Sequence, residues 1–219
     1  MKGFNKTQSG SITLILFCLI LFFLLAANIH SGWLSAKDDA FISVIQRFES
    51  APLTRLMLIL SFLGSTASIS LLTASISFFL FFFRSRRLGL YMILTVAFGA
   101  GLLNRLLKLA FKRERPSMPL IEEHGYSFPS GHAMTAAIFF GAILFCIWKI
   151  NNDRKILSSS IVICLLLTLG IGISRIYLGV HFPSDVLAGY TAGLAWVYFS
   201  ILLFGTVEKM NDGEENVHK

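Results

Sequence analysis

The sequence is dominated by long apolar blocks, and their length most constrains the fold. Each block holds about twenty residues, and a helix of that length covers about 30 Å, the hydrocarbon thickness of a membrane. Such a helix satisfies its own backbone hydrogen bonds inside hydrocarbon. Hydrophobic residues make up 55% of the chain, charged residues 14%, and the mean hydropathy is +0.71. We therefore predict an all-α integral membrane protein in which residues 1–219 form one helical bundle domain.

Six blocks are long enough to cross a membrane. The predicted spans are residues 12–29, 53–83, 88–107, 132–150, 156–173 and 183–204. The first block also resembles the apolar core of a signal peptide, but its length favours an uncleaved span, and its removal would leave an odd number of spans. Residues 28–52 are too charged to cross. Their apolar positions recur at helical spacing, which predicts a short helix along the membrane surface.

Small residues mark two helix-packing surfaces. Gly99, Ala100 and Gly101 in the third span allow another helix to approach closely. Gly189 and Gly193 form a GxxxG pattern in the sixth span, and packing inside the bundle is favoured there over dimerisation. The sequence gives no indication of the oligomeric state.

Basic residues between the spans predict the orientation of the chain. An arginine cluster lies at residues 84–87, and a second basic cluster lies at residues 149–155. Positively charged loops stay in the cytoplasm, so six spans place both termini there. Residues 108–131 and 174–183 then lie together on the outer face of the cell membrane. The basic residues at 108–115 violate the positive-inside trend, and binding of an anion would explain that exception.

Composition also argues against several partners and cofactors. The net charge is +7, but the basic residues form short clusters between spans, so orientation and anionic lipids explain them better than nucleic acid does. Cys18, Cys146 and Cys164 lie inside apolar spans, where we expect them to pack rather than to form disulfides or a zinc site.

A polar segment from Ser174 to Asp185 separates the last two spans, and it carries ionisable groups that are costly at a membrane boundary. If the sixth span begins near Pro183, Asp185 can reach one imidazole nitrogen of His181, leaving the other nitrogen free as a nucleophile. Arg175 supplies a planar guanidinium that matches phosphate or carboxylate oxygens. On these residues alone, an interfacial arginine beside a helix-capping aspartate is an equally good interpretation.

Two cations lie at the end of the third span. Lys108 and Arg115 are seven residues apart, about 700° around a helix, so their side chains would point within about 20° of each other. Pro116 disfavours a helical backbone at the preceding residue, which predicts a helix end near Glu114 with Arg115 at its exposed tip. A solvated basic face is the alternative interpretation.

The segment Pro129-Ser130-Gly131-His132 precedes the fourth span. Ser130 is a preferred helix cap, Gly131 lets the backbone approach a ligand closely, and the helix amino terminus presents free N–H groups to an anion. His132 faces the same side of the membrane as His181. Two histidines, two arginines, a lysine and a helix amino terminus, without clustered carboxylate ligands, predict phosphoryl transfer with no metal and no cofactor. Four nearby loop residues could line an entrance, but we predict a solvated loop for them: Glu122, Glu123, His124 and Tyr126.

The three motifs are Lys108-x6-Arg115-Pro116, Pro129-Ser130-Gly131-His132 and Ser174-Arg175-x5-His181-x3-Asp185. Together they resemble the signature of the type 2 phosphatidic acid phosphatase (PAP2) family, which also includes vanadium haloperoxidases. The match holds in identity, spacing and order. The resemblance implies a six-helix membrane fold and a metal-independent phosphatase that works through a phosphohistidine.

The resemblance also implies a role for each motif residue. His181 would be the nucleophile, Asp185 would orient it and stabilise its charge, and His132 would protonate the leaving oxygen and then help to activate water. The equatorial phosphate oxygens would be held by Lys108, Arg115, Ser130, the Gly131 amide and Arg175.

A site at the outer membrane boundary favours a phosphorylated lipid over a soluble sugar phosphate. Members of the family hydrolyse phosphatidic acid, phosphatidylglycerophosphate and polyprenyl diphosphates, and the short chain is similar to bacterial members. An outward site favours undecaprenyl diphosphate, which cell-wall synthesis leaves on that face, over phosphatidylglycerophosphate, which is made on the inner face. A lipid phosphotransferase or an inactive scaffold on the same fold stays open as an alternative. A transporter is disfavoured because no span is interrupted by Pro or Gly pairs at the membrane midplane. A haloperoxidase is disfavoured because those relatives are larger and soluble.

Overall fold

The computed structural model describes the backbone of residues 2–217 and the side chains of residues 9–208. The helices are α1 Lys2–Asn28, α2 Gly32–Gln46, α3 Ala51–Leu63, α4 Thr66–Phe83, α5 Arg86–Val96, a π-helical turn Ala97–Leu103, α6 Asn104–Phe111, α7 Gly131–Ile150, α8 Arg154–Tyr177 and α9 Pro183–Val217. No strand occurs within residues 2–217. The predicted all-α class is confirmed.

Six helical segments have the length and apolar composition needed to cross a membrane. They are Ser9–Asn28, Thr66–Phe83, Arg86–Phe111, Gly131–Ile150, Arg154–Tyr177 and Pro183–Glu208. The third of these is built from α5, the π-helical turn and α6 in succession. The prediction of a six-span integral membrane bundle is therefore confirmed.

The second span differs from its prediction. Residues 53–83 are not one helix, because α3 ends at Leu63 and α4 begins at Thr66. The Ser65 hydroxyl accepts a hydrogen bond from the Ser68 N–H at 3.2 Å, which caps α4 and starts a separate helix. At 13 residues, α3 is only about 20 Å long, so α4 alone is the span. Hydropathy could not detect this break because the apolar residues continue on both sides of it.

The charged segment before the second span does contain the predicted helix, α2. Leu34, Asp38 and Ile42 recur every four residues on its buried face. Trp33 and Phe41 remain exposed on other faces. A carboxylate, that of Asp38, therefore lies on the buried stripe of this helix.

The predicted GxxxG surface joins α9 to α7. A Cβ at Gly189 would lie 2.7 Å from the Ser130 carbonyl oxygen, and one at Gly193 would lie 2.8 Å from the Ala137 Cβ. The glycines thus let the two backbones touch inside the bundle, as expected. This contact also brings the first turns of α7 and α9 together, where the Ser130 N–H donates to the Asp185 carbonyl at 3.0 Å.

The π-helical turn packs against α9. Gly99 lies directly under the Trp196 indole, leaving no space for a Cβ. The indole Nε1–H donates to the Thr95 carbonyl at 2.8 Å, in the last turn of α5 just before the π-helical turn. The prediction of a small packing surface holds for Gly99. It is wrong for Gly101, where a Cβ would meet nothing within 4 Å.

Replacing Gly193 with Ala should lower the thermal unfolding temperature in detergent by several degrees. The added methyl group would force apart the α7 and α9 backbones at the Ala137 and Met134 contacts, and overpacking of this kind costs about 1–3 kcal/mol. Gly101→Ala is the matched control, because it adds the same methyl group in open space and should not lower that temperature. Equal unfolding temperatures for the two variants would contradict the packing role.

Candidate active site

A cavity of about 260 Å³ lies where α6 ends and α7 begins. Its wall is formed by α6 and the π-helical turn, the first turns of α7, the turn between α3 and α4, and the loops that follow α6 and α8. The cavity wall includes five of the residues predicted from the motifs: Lys108, Arg115, Gly131, His132 and His181. The predicted residues Ser130, Arg175 and Asp185 are almost completely buried and do not line it.

His181 lies in the tight turn between α8 and α9. Gly179 makes this turn possible with φ +68°, and a side chain there would also overlap the Met118 carbonyl. The imidazole is 1% exposed, and its Nε2 lies 3.3 Å from Arg115 Nη1. An arginine N–H can only donate, so Nε2 accepts and the ring proton lies on Nδ1. The nitrogen that borders the cavity therefore carries the lone pair.

The other imidazole nitrogen faces the carboxylate of Asp185. Nδ1 is 3.5 Å from Asp185 Oδ2, and none of the groups that the structure describes hydrogen-bonds to Nδ1. Asp185 Oδ2 is held in place by the Phe182 N–H at 2.9 Å. The arrangement predicted from the four-residue spacing is thus present, with one nitrogen toward Asp185 and the other toward the cavity.

Burial and surrounding charge both act on the protonation of His181. Burial lowers the pKa of the imidazole well below its ordinary value, and the positive charges of Lys108, Arg115 and Arg175 lower it further. The ring is therefore neutral at pH 7. A neutral imidazole keeps the lone pair that a nucleophile needs.

Lys108 and Arg115 converge, although not as the sequence predicted. The helix ends at Phe111 rather than near Glu114, because Lys112 adopts a left-handed conformation with φ 47° and its N–H bonds to the Lys108 carbonyl at 3.0 Å. Arg115 is therefore off the helix, and its side chain is only 13% exposed rather than at an exposed tip. The prediction that both cations share one helix face is wrong.

The following loop brings the two cations together instead. The Lys108 ammonium donates to the Tyr126 carbonyl at 2.5 Å, and Arg115 Nη2 reaches the same carbonyl at 3.4 Å. Arg115 also donates to the carbonyls of Gly125 at 2.9 Å and Val180 at 2.8 Å. Neutral carbonyl oxygens thus hold the guanidinium in place.

Glu123 is part of the site, which corrects the prediction of a solvated loop. Its carboxylate forms an ion pair with Arg175 and lies 3.7 Å from Arg115 Nη2. Burial acts to raise the pKa of this carboxyl, but nearby positive charge, that of Arg175 above all, holds it below its ordinary value. An ionised carboxylate thus contacts the arginines expected to hold phosphate. Glu122, by contrast, is exposed as predicted.

Arg175 and Ser130 occupy positions behind the cavity wall. The Arg175 guanidinium donates to the Ser61 hydroxyl and to the Glu123 carboxylate. The Ser130 hydroxyl accepts from the Ala133 N–H at 3.5 Å, so it caps α7. At Gly131, a Cβ would lie 3.2 Å from the Asn104 amide oxygen, so glycine keeps the helix start close to α6.

Two buried charges near the site were missed from the sequence. Arg113 Nη1 donates to Asp185 Oδ1 at 2.7 Å, and Arg113 Nη2 donates to Asp38 Oδ2 at 2.8 Å. The signal for Asp38 was its place between Leu34 and Ile42 on the apolar stripe of α2. Arg113 had no comparable signal, because it follows Lys112 in a run of basic residues. Among the described residues, no three His, Cys, Asp or Glu side chains converge in a way that could hold a metal ion.

Six apolar spans with a cation-lined cavity at their ends define a multi-pass membrane protein with a site for a compact anion such as phosphate. The model of the PAP2 superfamily matches residues 86–209. The chain belongs to this superfamily, which makes it a PAP2-type lipid phosphatase.

Individual relatives extend the similarity beyond the matched region. The phosphatidylglycerophosphatase B of Bacillus subtilis is 37% identical over 183 residues, covering 80% of this chain and 88% of the relative. The crystal structure of a transmembrane PAP2-type phosphatidylglycerolphosphate phosphatase from Bacillus subtilis superposes with a TM-score of 0.81 at 33% identity, covering 91% of this chain and 96% of that one. A putative undecaprenyl-diphosphatase of Escherichia coli is 36% identical over 85 residues, covering 35% of this chain and 38% of the relative.

Replacing Glu123 with Gln should tighten the binding of inorganic phosphate about tenfold. The ionised carboxylate pairs with Arg175 and Arg115, so a phosphate that binds these arginines must displace it. The measurement is competitive inhibition by orthophosphate at pH 7. Glu122→Gln removes the same charge from an exposed neighbour and should leave the inhibition constant unchanged. Unchanged or weaker inhibition in Glu123→Gln would show that the carboxylate does not compete with phosphate.

Proposed function

We propose that the chain hydrolyses the terminal phosphate of a membrane lipid through a phosphohistidine on His181. The observation that carries this proposal is the buried imidazole whose unprotonated Nε2 borders a cavity lined by Lys108 and Arg115. A phosphate monoester brings close to two negative charges, which these cations match. Because the charges are held before substrate arrives, little reorganisation is needed in the transition state.

In the first step, Nε2 of His181 attacks phosphorus and the bond from phosphorus to the lipid oxygen breaks. Arg115 moves its N–H from Nε2 to a phosphate oxygen as the substrate binds. The charge that develops on the ring is stabilised through Nδ1–H by Asp185. His132, which lines the same cavity, donates a proton to the leaving oxygen. An anionic phosphate beside His132 favours the protonated form required for that donation.

In the second step, water attacks the phosphohistidine. His132 is neutral after the first step, so it can take one proton from that water. The bond between Nε2 and phosphorus breaks, and inorganic phosphate leaves with the imidazole regenerated. We propose that Lys108, Arg115, Arg175 and the amide at Gly131 stabilise the phosphate oxygens in both steps. Ser130 contributes by capping α7, which aims the free N–H groups of that helix at the same place.

Phosphatidylglycerophosphate is the first substrate that we propose, and undecaprenyl diphosphate is the second. The similarity to phosphatidylglycerophosphatase B extends over 80% of this chain, whereas the similarity to the putative undecaprenyl-diphosphatase extends over 35%. This order reverses the ranking from topology alone. Both substrates present a terminal phosphate on a lipid, and residues of membrane spans such as Thr66 and Ala100 border the cavity.

We expect the purified protein in detergent to release phosphate from one or both lipids in the presence of excess EDTA. His181→Ala should abolish release, because no nucleophile remains, and Asp185→Asn should retain more activity. His132→Ala should lower kcat by about 10²–10⁴, the usual contribution of a general acid. Release from phosphatidylglycerophosphate and undecaprenyl diphosphate is measured in parallel. Loss of activity in EDTA, or hydrolysis of neither lipid, would contradict the metal-free phosphatase.

We also propose that the cavity faces outward and that both termini are cytoplasmic. The placement of α1 and α9 supports the shared side of the two termini. Ser11 of α1 and Lys149 border one groove, and Lys149 pairs with Glu208 of α9 at 2.7 Å. Residues 84–87 lie at that same end, opposite the cavity. Basic loops favour the cytoplasm.

A reporter that is active only in the cytoplasm should therefore be active when fused after Lys219. The matched control is the same reporter inserted in the loop at residues 116–120, on the cavity side, where it should be inactive. An inactive fusion after Lys219 together with an active insertion would reverse the proposed orientation.

A further inference from the structure

We propose that Asp38, acting through Arg113, is a positioning residue that holds Asp185 against His181. This inference rests on the proposed function, because it assigns a task in the histidine reaction to a helix that precedes all three motifs. Asp38 belongs to α2, outside residues 86–209 that the family model matches. Its effect on the reaction passes through two side chains and does not involve contact with the substrate.

Arg113 connects the two carboxylates. Its guanidinium donates from Nη1 to Asp185 Oδ1 at 2.7 Å and from Nη2 to Asp38 Oδ2 at 2.8 Å. The residue is 5% exposed, and its Cζ lies 4.1 Å from the centre of the Phe182 ring, which covers one face of the guanidinium. The planar fork is therefore fixed in one orientation, with one carboxylate on each side.

Asp38 fixes both Arg113 and the start of α9. Its Oδ1 accepts from the Ser184 N–H at 3.0 Å, and its Oδ2 accepts from the Ser184 hydroxyl at 2.5 Å. Asp38 is 3% exposed. It thus caps the free amino end of α9 from a distant part of the chain, as a carboxylate at a helix amino terminus does. Because Asp185 is the next residue, this cap also determines where the Asp185 side chain points.

The consequence for His181 follows from the two oxygens of Asp185. Oδ1 is occupied by Arg113, so Oδ2 is left for the Phe182 N–H and for His181 Nδ1. A buried carboxylate that loses its cation either takes up a proton or turns toward another donor. Either change removes the negative charge of Asp185 that faces Nδ1. The His181 ring then loses both its preferred tautomer and the stabilisation of its phosphorylated form.

The test is a double-mutant cycle in kcat among the wild type, Asp38→Asn, Asp185→Asn and the double variant. Asp38→Asn should lower kcat about tenfold or more while KM changes less than twofold. In the Asp185→Asn background the Asp38→Asn change should alter kcat less than twofold, because the carboxylate through which Asp38 acts on His181 is already absent. Asp39→Asn is the matched control, since Asp39 is an exposed acid on the same helix and should change nothing.

A merely structural role for Asp38 would give a different result. It would lower kcat equally in both backgrounds, or alter only KM or the yield of folded protein, and any of these would overturn the proposal. If Asp38→Asn does not fold, Arg113→Lys replaces it in the cycle. Lysine keeps the charge but has no fork to reach both carboxylates, so the same coupling is expected.

A measurement without turnover separates this proposal from the proposed function. In ¹⁵N-histidine spectra assigned with His181→Ala, His181 of the wild type should show a protonated Nδ1 and an unprotonated Nε2. Asp38→Asn should shift both nitrogens toward the values of a mixed tautomer, and Asp39→Asn should not. If the wild type hydrolyses no lipid, the proposed function fails, and these spectra still decide whether Asp38 positions the ring. An unchanged His181 spectrum in Asp38→Asn would overturn the positioning role.

Discussion

The rest of the site depends on concentrating positive charge at the end of an apolar bundle. Lys108, Arg115 and Arg175 repel one another, and burial at a membrane boundary deprives them of much of the water that would screen that repulsion. The protein compensates with neutral carbonyls on Lys108 and Arg115 and with the carboxylate of Glu123 on Arg175. Carbonyl oxygens stabilise the cations yet leave their net charge available to an anion.

Carbonyl oxygens can contact these cations only where they are not used inside a helix. The backbone around the site is therefore irregular, and the helices end there. α6 stops in a left-handed turn at Lys112, so the loop that follows can fold back and bring the Tyr126 carbonyl over Lys108. The glycines of α9 bring its first turn against that of α7, and the start of α7 at Gly131 and His132 borders the cavity beside the cationic side chains. Packing in the apolar interior thus determines the geometry of the polar end.

The spans and the motif residues could be predicted because each depends on local information. A block of apolar residues specifies a membrane helix, and fixed spacing brought His181 and Asp185 together. The break after Leu63 was missed because apolar composition is the same on both sides of Ser65. The partners of Glu123 and Asp38 were missed because they lie 52 and 75 positions away, on Arg175 and Arg113. The sequence order does not indicate which acid will meet which arginine.

The two carboxylates that were missed stabilise the cationic site in different ways. Asp38 and Asp185 hold one guanidinium between them away from the cavity, so their charges remain paired whether or not substrate is present. Glu123 instead pairs with Arg115 and Arg175, the cations that we propose hold the substrate phosphate, so we expect its contribution to stability to be lost when phosphate binds. A preorganised anion site lowers the stability of the empty protein, because its like charges repel one another with no anion to neutralise them. An internal carboxylate lowers that cost in the empty enzyme, and it does so at the expense of affinity for substrate and product alike. In the proposed reaction, weaker product binding would favour turnover, since inorganic phosphate would have to leave the same cations before the next lipid enters.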